Sequence, residues 1–105
     1  MPYTLYVIEL RREVLGESRF AARSPERRDD KPCVYVGQTA LTPEERFEQH
    51  RAGYKSNSYA HRYGVRLRSR LTANRGPFGT REEALQAEAM LTEGLRRKGY
   101  AVWSG

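Results

Sequence analysis

The sequence predicts an α+β domain. Three observations carry that reading: aromatic and branched runs at Tyr3–Leu10 and Cys33–Val36, a period-two alternation at Val65–Leu71, and two helix entries marked by capping boxes. At 105 residues the chain has the size of one domain, with a thin core. A hydrophobic content of 38% lets such a globule fold without metal or disulfide staples.

Tyr3–Leu10, YTLYVIEL, opens the chain as a strand. Its Val7-Ile8 pair blurs the alternation, which fits either burial on both faces or a twist at the strand end. Arg11–Pro32 follows, a polar segment containing Gly16, Ser18, Ser24, Pro25 and the charged run Glu26-Arg27-Arg28-Asp29-Asp30-Lys31. Structureless connections above about 15 residues are uncommon in compact domains. The expectation for 11–32 is a long flexible insertion, a mobile hairpin loop with a short helical turn near Phe20. Cys33–Val36 is the second strand, with Gly37 as the turn after it.

The next helix runs from Pro43 to about Ala52. Thr42 is its N-cap, Pro43 suits the first helical position, Glu45 completes the capping box and Gly53 is a left-handed stop. Ser58–Tyr63 reads as a second short helix closed by Gly64. In Val65–Leu71 the residues Val65, Leu67, Ser69 and Leu71 alternate with Arg66, Arg68 and Arg70, so one face is apolar and the other cationic. Thr72–Gly79 is a loop. Thr80 and Glu83 repeat the capping box, and the helix they open reaches about Lys98 before Gly99 ends it. Tyr100–Trp103 is apolar and adds a terminal edge strand.

No segment approaches the roughly 18 apolar residues that span a membrane, and no basic region precedes a long apolar one at the N-terminus. A cytoplasmic protein is expected. Cys33 lies inside a strand pattern and reads as a small core residue rather than a nucleophile. The net charge of +6 and pI near 9.8 speak to partners. Between Gln49 and Arg81 there is no Asp or Glu, while Arg51, Lys55, Arg62, Arg66, Arg68, Arg70 and Arg75 fall there. Such a tract calls for an anionic partner.

Two helices carry residues that point to chemistry. A spacing of four puts Arg46 and His50 on one helical face, beside the strand end that holds Tyr35. The last helix has an apolar stripe of Ala84, Leu91 and Leu95, and Glu88 sits in its middle. A carboxylate there loses hydration unless a cation or donor meets it. It is either salt-bridged to a core-edge arginine or a metal ligand or catalytic acid, and the second reading is the stronger.

These residues, in this order, resemble the GIY-YIG nuclease superfamily. Thr4-Leu5-Tyr6 stands where the first tripeptide belongs and Tyr35-Val36-Gly37 where the second does; Arg46 and His50 match the helix pair, and Glu88 the glutamate of a later helix. The resemblance covers almost the whole chain. It implies a small antiparallel sheet of about three strands flanked by helices, and hydrolysis of phosphodiester bonds with one divalent metal, Mg²⁺ or Mn²⁺. Under it Glu88 would hold the metal and Arg46 would grip phosphate oxygens with its planar fork. Tyr6 or Tyr35 would position or deprotonate the attacking water, and His50 would orient that tyrosine or protonate the leaving group. Thr4 replaces the glycine of the first tripeptide. Relatives also often carry an asparagine near the C-terminus; residues 100–105 contain none, which leaves Asn57 or Asn74 as spatial substitutes.

The expected function is that of a metal-dependent endonuclease acting on DNA, selective for structure or strand rather than sequence. RNA and branched or single-stranded nucleic acid are further candidate substrates, and a protein partner is a candidate source of target specificity. Arg51, Lys55, Arg62, Arg66, Arg68 and Arg70 are the expected backbone contacts, with Tyr59 either stacking on bases or packing as a helix face. The alternative is a non-catalytic nucleic-acid-binding or adaptor module with the same fold.

Overall fold

The computed structural model describes residues 2–105. Four strands, β1 (Thr4–Leu10), β2 (Cys33–Thr39), β3 (Gly64–Leu67) and β4 (Ala101–Ser104), form one sheet in the order β3-β1-β2-β4. β1 pairs antiparallel with β2, from Thr4 opposite Thr39 to Leu10 opposite Cys33, and antiparallel with β3. β4 lies parallel to β2, with Cys33 opposite Ala101. The sheet is therefore mixed and four-stranded rather than three-stranded and antiparallel. The apolar tail after the last helix supplies the extra strand, because that helix crosses over the sheet and returns the chain in the direction of β2.

Four helices surround the sheet: α1 (Ser18–Ala22), α2 (Pro43–Ala52), α3 (Ser58–Tyr63) and α4 (Arg81–Arg97). Both expected capping boxes form, Thr42 with Glu45 and Thr80 with Glu83. Gly53 ends α2 at a φ of 78°, a conformation that a β-carbon disfavours. α4 buries Ala84, Glu88, Leu91, Thr92 and Leu95.

Three expectations change. Segment 11–32 is built into the fold: a 3-10 helix at Arg12–Gly16 and α1 set Val14 and Phe20 fully into the core. The Val102 amide donates to Ser24 Oγ at 3.0 Å, and the Arg28 amide to the Gly99 carbonyl at 2.7 Å. Gly37 is not a turn, since β2 continues through it to Thr39. The cationic strand is shorter than its alternation: β3 ends at Leu67, and Ser69–Thr72 winds into a 3-10 helix. The Arg68 amide still donates to the Val7 carbonyl at 2.8 Å.

β1 and β2 are buried on both faces, which explains the blurred alternation. Tyr6, Ile8, Leu10, Cys33 and Tyr35 pack with Val14, Phe20 and Ala60 on one side. Leu5, Val7, Val34 and Val36 meet Leu91, Leu95 and Val102 on the other. Each fully buried branched side chain contributes about 1.5–3 kcal/mol. Among the described residues no helix is long and apolar enough to cross a membrane.

Candidate active site

The site starts with α2. Its capping box fixes where the helix begins, and two turns later His50 arrives fully buried against the sheet. The imidazole is held at both nitrogens. The Asn57 amide donates to Nδ1 at 3.2 Å, and Nε2 lies 2.9 Å from the Tyr6 hydroxyl oxygen. An amide N–H can only donate, so Nδ1 is the acceptor and the ring proton resides on Nε2. Nε2–H then donates to the Tyr6 oxygen, which keeps its own hydrogen for a further partner. Burial, followed by the nearby Arg46 charge, pushes the His50 pKa down to about 4, so the ring is neutral near pH 7.

Gly37 makes this arrangement possible. It pairs with Tyr6 across β1 and β2, and a β-carbon there would collide with the Tyr6 phenol. The Tyr35 ring meets the His50 ring edge-on at a centroid distance of 5.3 Å. Burial raises the pKa of both phenols. The two phenol rings lie 6.1 Å apart between centroids, so each sits in the other's surroundings.

A cleft of about 650 Å³ opens over these groups. Tyr6, Tyr35, Arg46 and Glu88 of α4 are all in its lining. Glu88 is 8% exposed, and desolvation raises its pKa. Among the described residues it has no salt-bridge or hydrogen-bond partner, so the arginine pairing allowed by the sequence does not form. Its charge raises the pKa of Tyr35, which puts carboxylate and phenol in electrostatic contact. Arg46 is oriented from behind: Nη1 donates to Gln49 Oε1 at 2.9 Å and Nη2 to the Lys55 carbonyl at 2.7 Å.

Among the described residues no three His, Cys, Asp or Glu groups gather as a metal cage. The donor set present still suits a hard cation such as Mg²⁺, which binds through one or two carboxylates and keeps several waters. Glu88 is an uncompensated carboxylate beside a cleft with room for those waters.

The structure thus brings Tyr6, Tyr35, Arg46, His50 and Glu88 to one cleft, with His50 behind Tyr6 and sealed from solvent. Of the two roles considered for His50, orienting a tyrosine fits that burial. Asn57 does not reach the cleft as a substitute amide: its side chain caps α3, accepting from the Tyr59 and Ala60 amides. Cys33 is buried in the core, and burial raises its thiol pKa.

The expected nucleic-acid contacts do not share one surface. Lys55 lines the cleft. Arg62 pairs with Glu17 at 3.0 Å, Arg66 and Arg68 share Glu9 at 3.3 and 3.0 Å, and Arg51 lies 4.0 Å from Glu48. Arg70 is exposed on the 3-10 helix after β3. Tyr59 takes its packing alternative, edge-on to Phe20 at 5.4 Å and to Trp103 at 4.9 Å. Gln38 and Arg81, the latter at the first position of α4, are among the cleft residues that escaped the sequence reading. Arg81 lies seven residues, or two turns, before Glu88 and so on the same helical face, a signal that was available. Compared with protein-family models, with curated proteins and with solved structures, the chain matched none.

Proposed function

We propose that this protein is a divalent-metal-dependent endonuclease that hydrolyses phosphodiester bonds in DNA, as its resemblance to the GIY-YIG superfamily implies. The observation that carries the reading is Glu88. A carboxylate with no partner, buried to 8% exposure in a cleft it shares with two phenols and an arginine, costs folding free energy that a bound cation would recover.

Bound at Glu88, the ion would polarise the phosphate and stabilise the departing oxygen. The rest falls to the chain's own side chains. Arg46, braced by Gln49 and the Lys55 carbonyl, presents its remaining N–H groups to phosphate oxygens. Tyr35 holds the attacking water, and neutralisation of Glu88 removes the charge that raises the phenol's pKa. The Tyr6 ring packs beside Tyr35, and His50 holds the Tyr6 hydroxyl.

One observation favours the non-catalytic binding module instead: both phenols are held protonated by burial, which makes each a weak base. One assay separates the readings. Wild type, Glu88→Ala and Arg46→Ala are incubated with single-stranded, duplex and branched DNA and with RNA, with and without Mg²⁺ or Mn²⁺. Metal-dependent cleavage that both folded variants lose supports the nuclease. Cleavage retained in both variants overturns these site assignments, and salt-sensitive binding without cleavage under either ion leaves the binding module.

A further inference from the structure

We propose that Lys55 and Arg81 form a two-sided clamp for the phosphates flanking the reacting one, so that the substrate is a polynucleotide strand rather than a single phosphate ester. The proposal rests on the nuclease reading for the position of the reacting phosphate, but its evidence is separate. Both residues line the same cleft as Arg46 and Glu88. They come from different parts of the fold, Lys55 from the turn after α2 and Arg81 from the start of α4.

Neither position is what folding alone would select. Lys55 has a φ of 47°, in the left-handed region that ordinary side chains avoid. Its carbonyl is gripped by Arg46 at 2.7 Å, so the unfavourable backbone and the central arginine are fixed together. Arg81 puts a cation at the first position of a 17-residue helix, against the positive end of the helix dipole. Among the described residues neither side chain has a carboxylate within 4.0 Å, although Arg62, Arg66 and Arg68 have all found one. The Lys55 ammonium lies 5.5 Å from the Tyr54 ring centroid, and cations that share a cleft with Arg46 but meet no carboxylate fit further phosphates of the same chain.

The test measures binding with the Glu88→Gln protein, so that cleavage does not interfere. A labelled 12-nucleotide single-stranded DNA is titrated between 0.05 and 0.3 M KCl, alongside thymidine monophosphate. Lys55→Ala and Arg81→Ala are each expected to reduce the salt slope by about 0.7 and to weaken oligonucleotide binding about fivefold at 0.1 M salt. Arg97→Ala is the control, an exposed arginine at the other end of α4, about 24 Å from Arg81. Circular dichroism of each variant verifies the fold. Thymidine monophosphate binding as tightly as the oligonucleotide, or slopes for Arg81→Ala and Lys55→Ala no different from Arg97→Ala, would overturn the clamp. Altered slopes in a wild-type background that never cleaves would support the clamp and remove the nuclease. Cleavage with unaltered slopes removes the clamp alone.

Discussion

The sheet edge and the cleft are both rich in cations, yet their charges are treated in opposite ways. On the edge, Arg66 and Arg68 converge on Glu9, and Arg62 reaches Glu17. These acids come from β1 and the segment after it, far from the arginines in sequence. In the cleft, Lys55 and Arg81 meet no carboxylate, and Glu88 meets no cation, although all three line one surface. A tract that is acid-free in sequence is therefore partly neutralised in space. In the cleft both signs stand uncompensated on one surface, where a phosphate and a cation would satisfy them.

The largest expected effect comes from removing the negative half of that cleft. Glu88→Gln keeps the shape and abolishes the carboxylate, and Mg²⁺-dependent cleavage should fall by about 10³-fold. Mg²⁺ should raise the melting temperature of the wild type, and the same substitution should abolish that rise. An equal rise in the variant would place the ion elsewhere.

His50→Ala attacks the support beneath the cleft. It opens a cavity and leaves the Asn57 amide and Tyr6 hydroxyl without their partner. Urea denaturation should show a loss of about 2–4 kcal/mol. Arg66→Ala, by contrast, breaks only an exposed pair and should cost under about 1 kcal/mol. Equal losses would erase the distinction between the two regions.

Acid should probe the same support. Folded His50 stays neutral down to about 4, whereas in the unfolded chain it takes up a proton near its ordinary 6.5. Between those values the unfolded state binds more protons, so falling pH favours unfolding. The contribution is fully present above about pH 6.5 and is lost toward pH 4, up to about 3 kcal/mol in all. Denaturation of the wild type and His50→Gln across that window should show the steeper loss in the wild type.

The smallest effect would make the edge resemble the cleft. Glu9→Gln releases Arg66 and Arg68, and single-stranded DNA should then bind up to several-fold more tightly at 0.1 M salt, with a steeper salt slope. Stability should change by about 1 kcal/mol or less. Unchanged binding would show that the edge does not meet the strand.

What the sequence made legible follows how local each signal is. Both capping boxes, the Gly53 stop and the stripe that buries Glu88 are written within a few neighbouring residues, and they form as read. The convergence of Tyr6, Tyr35, Arg46, His50 and Glu88 was expected only through a resemblance, since no local pattern encodes pairing between distant elements. The terminal edge strand was legible from its apolar residues, but its parallel pairing with β2 was hidden for the same reason. Gly37 misled because a glycine after a strand usually marks a turn, whereas here it clears space for Tyr6. The insertion misled by its polarity, which masked the two buried anchors Val14 and Phe20. The neutralised arginines were invisible because Glu9 and Glu17 lie outside their tract.

Asn57 has one further use. Its backbone amide donates to the imidazole nitrogen that has no proton in the folded protein. When acid protonates that nitrogen the hydrogen bond must break, and the magnetic environment of one amide hydrogen changes. A single backbone resonance therefore reports the ionisation of the buried histidine, and no label need be placed in the cleft.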